Sequence, residues 1–302
     1  MHPDSQRRLN NTLHEIFCIK DTQSRYGIKI CYPNTNAFDR SIIKIQGITV
    51  VTKRSDNKTE LHILLNSIGN LDIFSILCID IIETISQCKS ESNLLHKVFG
   101  RLHRWQRFLA KNSALILSKE RQMGLFSELM ILRDYLIPSI GIRAALECWT
   151  GPDFDKKDFS THRSFIEVKS LISSKGSNIM ISSLTQLDAE VKPLWLAVYY
   201  ISENSIGESI SDVASTLLEK IGDDSQSERL LLDKLSDYGY LFGPPEIPLF
   251  QWLVDRVSFY SVVDSFPKIL AKNIAYQISD VIYRIDLSNC RDFETDFAKI
   301  TL

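Results

Sequence analysis

Three side chains in the middle of the chain have types and spacing suited to chemistry on a phosphodiester: Asp158, Glu167 and Lys169. Glu167 and Lys169 lie in the run Ser164–Ile172 (SFIEVKSLI), whose alternation predicts a strand with Ile166, Val168 and Ile172 turned to a core. The carboxylate and the ammonium then share the opposite face, bracketed by Phe165 and Leu171. Ser173–Ser177 predicts a turn and Asn178–Ser182 a partner strand, which would make the Glu-Val-Lys strand half of a hairpin. Hydrolysis of a phosphodiester calls for a divalent cation that polarises the phosphate and acidifies a bound water. A hard cation takes oxygen ligands, often one or two carboxylates with water and substrate phosphate. Asp158 and Glu167 are the candidate carboxylates, the Val168 carbonyl a candidate third ligand, and Lys169 the group to hold the attacking water or the developing negative charge. The cation expected is Mg²⁺, with Mn²⁺ as its substitute.

The elements around this strand must position these groups. Three acids precede it, Asp153, Asp155 and Asp158; Phe159 can anchor the backbone beside Asp158, and Asp155 is the alternative first ligand. Upstream, Ser118–Leu136 predicts a helix with Leu125, Phe126, Leu129, Met130 and Leu132 facing a core and Glu128 at the margin, exposed or paired with Arg121 or Arg133. A short helix around Ile142–Leu146 leads into Trp149. Downstream, Leu184–Val191 is expected to begin a helix carrying Gln186, and Leu194–Ile201 reads as a continuous apolar strand at a sheet centre.

The order Asp158, then Glu167-Val168-Lys169 on a strand, resembles the PD-(D/E)XK restriction-endonuclease-like superfamily. It is similar in particular to a group of prokaryotic proteins of restriction and phage-defence loci. Gly124–Leu129, Trp149 with Gly151-Pro152, Asp158-Phe159, Glu167-Val168-Lys169 and Ile181–Leu187 carry the likeness, with a thinner match at Phe266-Pro267. One departure is Lys157, where the motif name has a proline. The resemblance implies an α/β fold, a restriction-endonuclease-like core with a mixed central sheet flanked by helices, and a Mg-dependent deoxyribonuclease. It also implies that Glu128 reaches the metal site or a water beside it, and that Gln186 positions the scissile phosphate or the lysine. The competing readings are a non-catalytic DNA-binding or complex-assembling subunit that keeps the fold, and a chance motif in an unrelated scaffold.

The composition, 44% hydrophobic and 24% charged, is that of a globular protein rather than a disordered one. With no long apolar run and no signal segment the expected location is the cytoplasm, without membrane attachment; six cysteines lacking a Cys-x-x-Cys pair predict neither disulfides nor zinc. The net charge of −2 hides an asymmetry: 16 Lys and Arg against 10 Asp and Glu up to Ser118, then 19 against 27, so DNA must be met by a local patch. Ser92–Lys111 offers one, a helix with Leu95, Val98, Leu102, Trp105 and Leu109 as its apolar stripe and Lys97, Arg101, Arg104, Arg107 and Lys111 on one arc, for phosphate contacts or for solvent. His2–Ile19 is expected to be helical, Arg25–Tyr32, Ser41–Val51 and Glu60–Asn66 to form a small antiparallel sheet, and Asn70–Gln87 an apolar helix. These assign 1–117 to an N-terminal sheet and basic-helix region and 118–205 to the nuclease core. Residues 206–302 hold helices at Glu208–Ile221 and Ser227–Leu235 and strand-like or mixed runs at Phe250–Val263 and Ile274–Leu287, which extend the core or mediate homodimerisation. No ATPase motif is present, so an energy-dependent step would fall to an ATPase or other defence-system subunit as partner.

Overall fold

The computed structural model describes residues 2–9, 14–33, 43–54, 58–86, 88, 91–111, 117–153, 157–189, 191–243, 249–275, 277–278 and 281–302. It divides into two units, Met1–Ile116 with Gly239–Ile247, and Leu117–Tyr238 with Pro248–Leu302.

In the first unit, strands whose buried face is mostly Ile and Leu, edged by the polar Ser5–Arg8, make a five-stranded antiparallel sheet. Its strands are β1 (Ser5–Arg8), β2 (Glu15–Lys20), β3 (Tyr26–Pro33), β4 (Ile48–Arg54) and β5 (Lys58–Leu65), in the order β1-β2-β3-β5-β4. Ile16, Ile28, Ile30, Tyr32, Leu61 and Ile63 share a core with two helices, α1 (Leu71–Ser86) and α2 (Glu91–Lys111), which contribute Leu77, Ile81, Ile85, Val98, Leu102, Trp105 and Phe108. Among the described residues, the span expected to be helical, His2–Ile19, holds β1 and most of β2 instead. The β-branched and aromatic run Ile16–Ile19 pairs with β3, Ile16 opposite Ile30 and Ile19 opposite Gly27, and that pairing outweighs the local helical pattern.

The basic stripe of α2 loses one member. Arg101 is buried, its Nε and Nη2 donating to the two oxygens of Asp80 at 2.5 and 2.6 Å, and it also donates to the Phe242 carbonyl. Trp105 Nε1 donates to the same Asp80 carboxylate at 2.7 Å. Arg101 therefore serves the interior and is not a phosphate contact; at 100° per residue it sits at the core edge of the stripe, where the buried acid on α1 captures it. Removing one partner of a buried, doubly bonded ion pair strands the other, so Asp80→Ala is expected to cost about 3–5 kcal/mol. Urea unfolding read through tryptophan fluorescence checks this; a loss under about 1 kcal/mol would mean that water reaches the pair.

The second unit opens with α3 (Lys119–Ile131), capped by Ser118, whose Oγ accepts from the Arg121 amide. A wider π-type turn over Leu132–Leu136 leads into the short helices α4 (Ile137–Ile140) and α5 (Ile142–Cys148). Then come β6 (Phe159–Ser160), β7 (Phe165–Ile172), β8 (Asn178–Ile181), β9 (Leu194–Glu208), α6 (Ile210–Ile221), α7 (Ser225–Tyr238), β10 (Trp252–Ser261), β11 (Tyr283–Asp286) and β12 (Glu294–Thr295). The main sheet runs β12-β10-β9-β7-β6, mixed, with β7 and β9 parallel and the other pairs antiparallel. As its apolar run requires, β9 is central and its first half, Leu194–Ile201, is buried on both faces; Leu196, Val198 and Tyr200 join one core with Ile179, Ile181, Ile285 and Leu287. On the opposite face α3 packs along β7, tied by Ser170 Oγ to Ser127 Oγ at 2.9 Å and to the Met123 carbonyl at 3.0 Å.

Two expectations about the neighbours of β7 are corrected. β8 is not its hairpin partner: the turn Ser173–Lys175 and Gly176, at φ +89°, carry the chain off the sheet, and β8 pairs with β11, Ile181 opposite Tyr283, while β9 takes the place beside β7. At the start of the run Leu184–Val191, residues Leu184–Leu187 form turns rather than a helix. Lys157 Nζ takes the carbonyls of Thr185 and Gln186, which a helix would have used internally. Among the described residues of the mixed run Ile274–Leu287, β11 and the start of a 3₁₀ turn at Leu287 are regular, whereas β10 and β12 complete the main sheet.

Candidate active site

The site is built at the edge of the second unit's sheet, where β6 meets β7. Because Phe159 lies opposite Ile166, the residue before β6, Asp158, comes level with Glu167. Asp158 Oδ2 accepts from the Val168 amide at 2.7 Å, which fixes the carboxylate against the Glu-Val-Lys strand. On a strand a residue's N–H and C=O point to the same edge, so the Val168 carbonyl is turned to that side as well. Lys169 Nζ donates to Glu167 Oε1 at 2.9 Å, two residues apart on one face as the alternation requires. In the parallel register Glu167 and Lys169 stand beside Leu196 and Val198, so both emerge on the face covered by β8 and β11, with Phe165 and Leu171 packed against that core on either side. Glu167 is thereby almost fully buried, its side chain 2% exposed, and Lys169 16%.

Glu128 arrives from α3. It is buried rather than marginal, and its partner is neither Arg121 nor Arg133: Trp149 Nε1 donates to its Oε2 at 2.7 Å and the Tyr238 hydroxyl is bonded to it as well. Arg121 instead donates to the Tyr238 carbonyl, and Arg133 pairs with Asp134 and Glu208. Gly151 lets Glu128 approach Asp158. A Cβ there would sit 2.5 Å from Glu128 Oε2 and 3.4 Å from Asp158 Oδ1, so both oxygens crowd one bare Cα. The Thr150 and Gly151 amides both donate to the Asp158 carbonyl, holding that loop in place, and Lys234 donates to the Trp149 carbonyl.

Of the residues singled out by sequence, Asp158, Glu167, Val168, Lys169 and Glu128 belong to this corner. Gln186 touches it through Lys157, which its carbonyl accepts at 2.7 Å, while its side-chain oxygen accepts from the Ser182 amide. Asp155 and the side chain of Lys111 lie outside the described residues. Trp149, Tyr238, Lys157 and Lys234 are structural partners that motif spacing missed. A tryptophan just before Gly-Pro and a lysine among the leucines of Leu230–Leu235 were the available signals, Lys157 in its charged run gave none, and the partners of all of them are set by folding.

The electrostatics follow from packing acids together away from water. Burial, then the negative charge of Glu167, pushes the Asp158 carboxyl up to about 8, although Lys169 and the Val168 amide pull the other way. Burial and then Asp158 raise Glu128 well above the carboxylate range against its Trp149 bond. For Lys169, burial opposes the charge, but Glu167 and Asp158 outweigh it and hold the ammonium above the usual lysine range. Among the described residues no group of three His, Cys, Asp and Glu side chains is disposed to hold a metal ion. By donor type alone, Asp158, Glu167 and the Val168 carbonyl are the oxygens here of the kind a hard cation takes, two carboxylates and a peptide oxygen.

A carboxyl that binds its proton more tightly when folded makes stability fall as pH rises. Between the ordinary value of 3.8 and about 8 the folded chain keeps a proton on Asp158 that the unfolded chain releases. In EDTA the urea midpoint is therefore expected to drop from pH 5 to pH 8, and Asp158→Asn to flatten that drop. An equally steep fall in the variant would place its origin elsewhere.

No curated protein and no solved structure matches the chain. No helix among the described residues is long and apolar enough to cross a membrane. The family model DUF4420, described as "Putative PD-(D/E)XK family member", matches residues 3–288, nearly the whole chain. The mixed α/β architecture is consistent with a PD-(D/E)XK-like fold, and by that match the chain belongs to this nuclease-like family.

Proposed function

We propose that this protein is a metal-dependent endonuclease that hydrolyses phosphodiester bonds in DNA, in a prokaryotic restriction or anti-phage defence system. The observation that carries the reading is the 2.7 Å bond by which Val168 holds Asp158 against the Glu-Val-Lys strand, since it joins two distant parts of the motif into one set. Bound there, Mg²⁺ or Mn²⁺ would supply Lewis acidity and an acidified water. Asp158, with Oδ2 fixed by the strand, presents Oδ1; Glu167 and the Val168 carbonyl complete the oxygen set. Lys169 keeps its proton and places positive charge where the attacked phosphate gains negative charge. Glu128, committed to Trp149 and Tyr238, orients a water rather than joining the ligand set. Gln186 supports Lys157, the residue before Asp158, through its carbonyl. The defence setting, and an ATPase or other defence subunit as partner, rest on the likeness of the words around Gly124–Leu129 and Ile181–Leu187.

One observation favours the second reading, a DNA-binding or assembly subunit without catalysis. Glu167 is almost fully buried and one of its oxygens is taken by Lys169. The pair must loosen for Glu167 to serve a cation.

The test is cleavage of supercoiled plasmid with Mg²⁺ or Mn²⁺, beside calorimetric titration of the cation. Glu167→Ala and Asp158→Ala are expected to abolish cleavage and cation binding together. Lys169→Ala should abolish cleavage while leaving much of the cation and DNA binding, and Glu128→Ala should give a partial loss; groups acting as a unit give losses that do not add. Full activity in Glu167→Ala would sink the mechanism. A wild type that binds DNA yet never cuts, even with its partner proteins, would establish the second reading.

A further inference from the structure

From Leu94 to Lys111 helix α2 carries five cations and no acid, within a chain whose remainder after Ser118 is acidic. With Arg101 turned inward onto Asp80, the others, Lys97, Arg104, Arg107 and Lys111, narrow to an arc of about 80° at 100° per residue. Lys97 is exposed, and Arg104 and Arg107 are half-buried. Gly100 falls inside that same arc. In the middle of a helix glycine costs about 1 kcal/mol relative to alanine, and such a residue usually makes room for a neighbour. Here no neighbour needs the room: a Cβ on Gly100 would meet nothing within 4 Å. The helix thus accepts a destabilising residue in its cationic stripe, where the described structure has no packing use for it.

We infer that the Lys97, Gly100, Arg104, Arg107 face is a seat for the sugar-phosphate backbone of duplex DNA, with Gly100 letting that backbone come against the helix and the cations neutralising phosphates on either side. Charge complementarity identifies the occupant: a cationic stripe with no acid on its own helix from Leu94 to Lys111, beside bare backbone, fits a regular polyanion. The inference shares the polyanionic substrate of the proposed function but needs no hydrolysis, so it is tested in EDTA, where failure of the nuclease reading leaves it untouched.

The experiment measures binding of the full chain to a mixed-sequence duplex of about 20 base pairs over roughly 50 to 200 mM salt, a range in which phosphate contacts dominate the salt dependence. Gly100→Ala is expected to raise the urea midpoint, since alanine is the better helix former, and yet to weaken duplex binding several-fold. A merely structural glycine cannot give that opposition of signs. The double variant Lys97→Ala with Arg107→Ala should weaken binding and flatten the slope of log affinity against log salt by about one per cation removed. Undiminished duplex affinity in Gly100→Ala, or an unchanged salt slope in the double variant, overturns the inference. A loss confined to single-stranded RNA would overturn the choice of duplex DNA.

Discussion

The candidate site depends on gathering Asp158, Glu167 and Glu128 where water is scarce. Carboxylates in such a place either take up protons or acquire compensating charge. Lys169 compensates in part, which is why its own charge is held firmly, but it leaves Asp158 and Glu128 with raised proton affinity. The remaining imbalance is what the cation of the proposed function would offset, and the raised proton affinity of Asp158 makes the fold weaken as pH rises.

Holding the acids together requires rigid supports, and most of these are polar contacts made by residues outside the motif. Trp149 and Tyr238 fix Glu128 from α5's end and from α7, Lys157 stitches the loop before Asp158 to the turn at Thr185-Gln186, and Lys234 secures the Trp149 carbonyl. Buried lysines spent on peptide carbonyls satisfy groups that the irregular loops would otherwise leave unpaired. Preorganisation of this kind allows catalytic groups to act without paying for their alignment during reaction. The first unit applies the same physics to a different end, burying Asp80 with Arg101 and Trp105 and so deciding which cations of α2 face outward.

Much was legible in the sequence wherever local pattern and burial agree. The alternation in Ser164–Ile172 placed Glu167 and Lys169 on one face of a strand, the apolar run at Leu194 marked the central strand, and the periodicity of α2 and α3 marked both helices, because side-chain direction on a strand or helix follows from backbone geometry alone. The motif order also pointed to the family that the chain proves to belong to.

What only the tertiary structure decided are partners distant in the chain. Whether Asn178–Ile181 pairs with β7 or with a strand a hundred residues later depends on where a positive-φ glycine sends the chain and which apolar side chains need cover. Whether Glu128 is exposed or buried depends on Trp149 and Tyr238, whether Arg101 meets solvent depends on an acid one helix away, and whether Thr185-Gln186 is helical depends on which donor captures its carbonyls. The sequence by itself determined which residues share a face; the fold determined which face is buried and what each charge meets there, because burial and long-range pairing are properties of the packed chain and not of spacing.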